Sequence, residues 1–164
     1  MNTIETIKTK SKKLGFSHLE TAEIVVNLNT LLANYQVFYH KLRTFHWNVE
    51  GPEFFELHEE FEKEYNKTQN HIDMIAERIR VFGIKPKFGL KKILEMSDIK
   101  ERDDKISALE MVRELLKDFE ILHSSLLDAL NSSLNTGDVA TEQMITDFIR
   151  DLEKRHWMFT SFLK

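Results

Sequence analysis

The chain has 164 residues, of which 41% are hydrophobic and 30% charged, with a formal net charge of −4 at pH 7. This length and composition predict one soluble globular domain with a substantial core and exclude a disordered chain. The absence of cysteine excludes disulfide bonds and thiolate metal sites, and the net negative charge gives no overall attraction to nucleic acid.

The amino-terminal segment, residues 1–16, carries several lysines and lacks the apolar run that is typical of a signal peptide. No stretch of the chain approaches the ~18 apolar residues of a membrane-spanning helix. We therefore expect a cytoplasmic protein, with residues 1–16 as a flexible basic tail of the single domain 1–164.

Two long helices are predicted in the first half of the chain. Ser17 and Glu20 have the spacing of a capping box, and apolar residues follow at helical spacing as far as Asn48. The pair Gly51-Pro52 should end this helix and start the next, because proline suits a first helical turn. Gly83 is placed to end the second helix as its C′ residue.

The second half begins with a long connection, residues 84–104, in which glycine and proline leave room only for the short helix "LKKILEM". The third long helix has its apolar positions at Ile106, Leu109, Val112, Leu115, Leu116, Phe119, Leu122, Leu126 and Leu130. "NTGD" predicts a turn in which Asp138 caps the fourth helix. The apolar positions of that helix are Ile145, Phe148, Ile149, Leu152, Trp157 and Phe159. Four amphipathic helices with one long crossover predict an all-α, ferritin-like four-helix bundle.

The second helix carries a stripe of metal-ligating residue types, His58, Glu62, Asp73 and Glu77, within an arc of roughly 100°. Imidazole and carboxylate ligands together suit iron, manganese or zinc. However, His58 and Asp73 lie about 22 Å apart along one helix, whereas the ligand bonds of such metals are about 2 Å long. Either the stripe is only a solvated face, or a second subunit completes the site.

Antiparallel packing of two such helices would complete the site. His58 and Glu77 lie equally far from the point midway between residues 67 and 68, and so do Glu62 and Asp73. Two-fold symmetry about that point would bring each pair together and form two equivalent sites per dimer. His46 should join them, because the Gly-Pro break folds the first helix back against the second.

The segment "FHWNVEGPEFFELHEEFEKEYNKTQNHIDMIAERIRVFG", together with "LEKRHWMF" near the carboxyl terminus, resembles the Dps family, the miniferritins. The resemblance implies a twelve-subunit hollow shell, a homo-oligomer that oxidises Fe(II), typically with hydrogen peroxide, and stores the ferric product. It implies a ferroxidase centre between two-fold-related subunits, with His46 and His58 from one chain and Asp73 and Glu77 from the other. Glu62 stands where many members have aspartate, which leaves a second iron position in question.

The resemblance also places Trp47 near the centre, either as an oxidisable residue that intercepts radicals or as an interface or core anchor. The acidic residues Asp138, Glu142 and Asp147 could line a pore for incoming cations, although caps and solvated faces have the same composition.

Three alternatives compete with this interpretation. The pairs Glu120/His123 and Glu153/His156 have the E-x-x-H spacing of intrachain di-iron bundles, but the first helix has no acidic residue between positions 24 and 45. A basic tail containing Lys8, Lys10, Lys12 and Lys13 could bind DNA phosphates with strongly salt-dependent affinity. A purely structural bundle would explain the apolar stripes but not the paired ligand positions.

Overall fold

The computed structural model describes residues 15–164, and it contains the four predicted long helices and the predicted short one. They are α1 (His18–Asn48), α2 (Phe54–Val81), α3 (Leu90–Met96), α4 (Ala108–Thr136) and α5 (Val139–Phe162). α1 packs against α2, α4 and α3, and α4 packs against α5. This arrangement confirms the all-α bundle. No helix within residues 15–164 is long and apolar enough to cross a membrane.

Two sequence predictions fall outside this description. The lysines of the predicted basic tail, Lys8, Lys10, Lys12 and Lys13, precede residue 15. The Glu20 side chain of the predicted capping box also lies outside what the structure describes, although α1 does begin directly after Ser17.

Local sequence signals set most of the helix ends. Gly83 follows α2 with a φ of 80°, the left-handed conformation that favours glycine, as predicted for a C′ residue. The Asp138 side chain accepts a hydrogen bond from the Thr141 backbone N–H and caps α5, which confirms that prediction. α4 begins later than predicted, because Ser107 and Glu110 form a capping box that leaves Ile106 outside the helix.

The core is formed by the apolar faces of all the long helices, with Phe38, Phe61 and Phe119 among its fully buried side chains. Two predicted apolar positions do not belong to it, since Trp157 is 65% exposed and Leu109 is 38% exposed. Each lies two residues from a buried side chain, Phe159 and Met111 respectively, and therefore on the opposite side of its helix.

The long crossover is fastened to the bundle by buried Asn34 of α1. Its side-chain oxygen accepts hydrogen bonds from the Ser97 hydroxyl at 3.0 Å and the Asp98 backbone N–H at 2.7 Å. Its amide group donates to the Ser125 hydroxyl of α4 at 2.7 Å. One asparagine therefore joins α1, the crossover and α4, and it fixes the end of the connection that carries α3.

Candidate metal centre

The turn between α1 and α2 brings two imidazole rings into contact. Gly51 adopts a φ of 111°, which only glycine adopts readily, and the chain reverses there. The rings of His46 and His58 stack with their centroids 3.8 Å apart and an interplanar angle of 24°. This contact confirms that the Gly-Pro break places both histidines at one end of the helical hairpin.

Reciprocal hydrogen bonds hold the two rings. Nδ1 of His46 lies 2.8 Å from the backbone carbonyl of His58, and Nδ1 of His58 lies 2.8 Å from the carbonyl of His46. A carbonyl oxygen only accepts, so each Nδ1 must carry the proton. In the neutral rings both Nε2 atoms therefore keep their lone pairs, which is the state that a metal ion requires.

Aromatic side chains surround this pair. Phe54 stacks on His58 at 5.0 Å, and Tyr65 meets His46 edge-on with 5.3 Å between ring centroids. The Tyr65 hydroxyl donates a hydrogen bond to Oε1 of Glu62 at 3.3 Å. His46 is only 8% exposed, so the rings have little room to rotate away.

The carboxylates of the predicted site do not all come together in one chain. Glu62, Asp73 and Glu77 are exposed on α2, which is a single uninterrupted helix. Asp73 and Glu77 therefore remain about 22 Å or more from His58 along the helix axis. Among the side chains that the structure describes, no three histidines, aspartates or glutamates are grouped to hold a metal ion. One chain thus supplies two imidazoles with Glu62 beside them.

Tyr65 was not among the residues predicted for the site, yet it contacts both His46 and Glu62. A signal for its role was present. Tyr65 follows Glu62 by three residues and His58 by seven, and side chains at these separations share one side of a helix.

The predicted environment of Trp47 is partly corrected. Its side chain is 59% exposed in the single chain, so it is not a core anchor. The guanidinium of Arg43 lies over its ring at 4.7 Å from the centroid and over the Tyr39 ring at 5.4 Å.

The E-x-x-H motifs do not form an interior site. They lie on α4 and α5, where Nε2 of His123 is 3.4 Å from Oε1 of Glu153 at the surface. The interior side of α5 is occupied by ion pairs instead. Arg155 binds Glu64 at 2.6 Å and Glu60 at 2.8 Å.

Two further carboxylates, one on α4 and one on α5, are paired with lysines. Lys67 pairs with Asp151 at 2.9 Å, and Lys41 pairs with Asp118 at 2.7 Å. These carboxylates already have cationic partners and the E-x-x-H residues lie at the surface, so the geometry of one chain does not favour the intrachain di-iron alternative.

Asp138 is not a pore residue in this fold. It is 1% exposed, it caps α5, and its carboxylate is paired with Arg78 and bonded to the Thr141 hydroxyl. Asp147 is exposed and pairs with Arg150 at 3.2 Å, while Glu142 is partly buried. The prediction of a pore lined by Glu142 and Asp147 is not tested by one chain.

Known proteins are similar to this chain in sequence and in fold. The family model of the ferritin-like domain matches residues 25–164. DNA protection during starvation protein 2 of Bacillus anthracis is 38% identical over 141 residues, covering 86% of this chain and 97% of the relative. DNA protection during starvation protein of Brevibacillus brevis is 42% identical over 141 residues, covering 86% and 95%.

A solved structure agrees with these relatives. The Dps protein from Vibrio cholerae, described as a member of a broad superfamily of ferritin-like diiron-carboxylate proteins, superposes with a TM-score of 0.90. Its sequence is 38% identical, and the match covers 94% of this chain and 97% of the other. The helical bundle, the paired histidines and these matches together show that the chain belongs to the Dps family of ferritin-like proteins.

Proposed function

We propose that this protein oxidises Fe(II) with hydrogen peroxide at centres shared between subunits and stores the ferric product in a hollow shell. Membership of the Dps family supports iron storage or DNA protection in general. The observation that carries the specific proposal is the pair of stacked imidazoles at His46 and His58. In each ring Nδ1 makes the hydrogen bond to the backbone, and Nε2 takes no part in it. By removing Fe(II) and peroxide together, the reaction would protect DNA from oxidative damage.

A two-fold-related subunit supplies the missing carboxylates. The helix α2 is continuous through positions 58–77. Residues equally far from the point between residues 67 and 68 in the sequence are therefore also equally far from it along the helix axis. Antiparallel packing places Glu77 of one chain opposite His58 of the other, and Asp73 opposite Glu62. Each centre then contains His46, His58 and Glu62 from one chain and Asp73 and Glu77 from the partner chain.

The surface beside α2 supports such packing. A groove of about 520 Å³ lies between α1, α2 and α3 and is lined in part by Ile72, Leu90 and Leu94. Leu90 and Phe88 are 80% and 82% exposed. Apolar side chains grouped in this way mark association surfaces, and a second copy of the chain would cover them. The twelve-subunit shell extends this pairing by analogy with the family.

The ligand set suits the chemistry. Neutral nitrogen and carboxylate oxygen hold Fe(II) without filling all its positions, and an open position admits the oxidant. Two Fe(II) ions and two protons reduce one hydrogen peroxide to two water molecules and yield two Fe(III) ions. The carboxylates offset the increase in positive charge as iron is oxidised, which favours the ferric product.

The decisive measurement is ferric absorbance after hydrogen peroxide is added to anaerobic, Fe(II)-loaded protein. Wild type is compared with Asp73→Ala/Glu77→Ala and with a matched double variant, Glu120→Ala/Glu153→Ala. We expect fast oxidation and a soluble ferric product in the wild type and in the matched variant only. Equal rates in wild type and Asp73→Ala/Glu77→Ala would contradict the shared centre. Loss of oxidation only in the matched variant would instead support an iron site at the E-x-x-H pairs.

DNA binding is the second candidate function. The observation that favours it is the name of two relatives, which describes those proteins as protecting DNA during starvation. In this chain the cationic segment suited to phosphates is the one containing Lys8, Lys10, Lys12 and Lys13.

A further inference from the structure

Tyr65 occupies a position between the imidazoles and the carboxylate of the candidate centre. Its ring meets that of His46 with 5.3 Å between centroids and an interplanar angle of 81°. Its hydroxyl is bonded to Glu62 at 3.3 Å. A phenol that contacts a metal-ligating ring and is hydrogen-bonded to a carboxylate has a route for its electron and a base for its proton.

The number of electrons that hydrogen peroxide accepts suggests a role for Tyr65. Hydrogen peroxide accepts two electrons, whereas a single Fe(II) ion supplies one. When only one iron is bound and no other donor is present, hydrogen peroxide receives a single electron, and a hydroxyl radical is formed. Iron ions bind one at a time, so every centre passes through a state that holds a single Fe(II) ion.

We propose that Tyr65 supplies the second electron when a centre holds one Fe(II) ion. This inference rests on the proposed function and deepens it. In the step, Fe(II), the Tyr65 phenol, hydrogen peroxide and one further proton give Fe(III), a neutral tyrosyl radical and two water molecules. The O–O bond breaks, iron and tyrosine each lose one electron, and the phenol proton passes to Glu62 before it reaches the product water.

The surroundings of Tyr65 allow the radical to leave the centre. The Tyr39 ring lies 6.1 Å away in an edge-on arrangement. Arg43 lies over Tyr39 at 5.4 Å and over the exposed Trp47 at 4.7 Å. Tyr65 on α2 is therefore adjacent to a second oxidisable ring, that of Tyr39 on α1.

The chain offers a clean test because it contains only three tyrosines, at positions 35, 39 and 65. Assembled protein is loaded anaerobically with one Fe(II) per centre, mixed with hydrogen peroxide and freeze-quenched for electron paramagnetic resonance. A spin trap in a parallel sample reports hydroxyl radical. Wild type is compared with Tyr65→Phe and with Tyr35→Phe, a control whose ring packs against His71 and Phe148 instead.

We expect a tyrosyl signal in wild type and Tyr35→Phe and its loss in Tyr65→Phe, with more trapped hydroxyl radical in that variant. Iron should still be oxidised in all three proteins. Iron oxidation with an unchanged tyrosyl signal in Tyr65→Phe, or with none in wild type, would overturn the role of Tyr65. Failure of wild type to oxidise iron faster than buffer would overturn the proposed function itself, and this inference with it.

Discussion

His46 and His58 each donate a hydrogen bond from Nδ1 to the backbone carbonyl of the other, at 2.8 Å in both directions. The two bonds join the end of α1 to the start of α2, and they orient both Nε2 atoms away from the backbone. The same pair of residues therefore closes the helical hairpin and prepares two nitrogen ligands.

These two roles of His58 can be separated by substitution. Asparagine can place a donor close to the position of Nδ1 but has no counterpart of Nε2, whereas alanine lacks both groups. We expect His58→Asn to abolish peroxide-dependent iron oxidation with little change in the thermal midpoint. His58→Ala should lose the activity and also about 1–3 kcal/mol of stability, because the carbonyl of His46 loses its donor.

Thermal denaturation at fixed protein concentration, read beside the ferric absorbance assay, measures both effects. His156→Asn, a partly buried histidine of α5, serves as the control and should resemble wild type in both assays. Wild-type oxidation by His58→Asn would show that Nε2 of this ring does not bind iron.

Much of this fold follows from local signals in the sequence. Gly51 and Gly83 lie on either side of α2 because their backbone preferences are properties of single residues. The prediction that Pro52 lies in the first helical turn was wrong, because α2 begins at Phe54 with Glu53 as its N-cap. The contact between His46 and His58 was also predictable, since a tight turn between two helices leaves few positions for the residues that flank it.

Other features depend on contacts between distant parts of the chain. The pairing of Lys41 with Asp118 joins residues 77 positions apart, which no local pattern indicates. The prediction that Trp157 belongs to the core was wrong for a related reason. Near a helix end the apolar spacing covers few turns, so it does not distinguish a residue that faces outward from one that faces the core. The Nδ1 bonds of the histidines require the backbone positions themselves, so the sequence could not predict them.

Complementation between two inactive variants tests whether the centre is shared. One chain carries His46→Ala/His58→Ala, and the other carries Asp73→Ala/Glu77→Ala. In a mixed dimer one centre loses both ligand sets, and the other combines the intact histidines of one chain with the intact carboxylates of the other. Random pairing of equal amounts should restore about a quarter of the wild-type centres.

The two chains are co-expressed with different affinity tags, and assemblies that contain both are assayed for ferric absorbance. Each variant assembled alone should be inactive. Mixed assemblies that stay inactive, while both variants retain wild-type helical content, would show that the histidines and carboxylates do not meet across an interface.

Asp118 gives stability a distinctive pH dependence. It is 3% exposed, and burial raises its pKa from 3.8 to about 6 despite the nearby Lys41. The folded protein therefore holds this proton more tightly than the unfolded chain does. The resulting stabilisation is complete below pH ~4 and is lost as the pH rises through ~6. The full contribution is about 3 kcal/mol.

Asp118→Asn should remove this dependence. Relative to wild type, the free energy of unfolding of the variant should rise by up to about 3 kcal/mol between pH 4 and pH 7. Denaturant unfolding at several pH values measures the difference. Glu114→Gln provides a control of opposite sign, because hydrogen bonding to Lys117 helps lower the pKa of that carboxyl. A constant difference between wild type and Asp118→Asn would refute the assignment.

DNA binding, if it occurs, should depend on the lysines of the amino-terminal segment. Replacing Lys8, Lys10, Lys12 and Lys13 with glutamine should weaken binding and reduce the slope of log affinity against log salt. The reduction is about 0.9 for each lysine that contacts a phosphate of duplex DNA. Electrophoretic mobility shifts of linear DNA at several salt concentrations measure this slope. Lys91→Gln/Lys92→Gln, which removes two exposed charges from α3, is the control and should leave it unchanged. If intact protein shifts no DNA even at low salt, the protection of DNA would have to come from the iron chemistry alone.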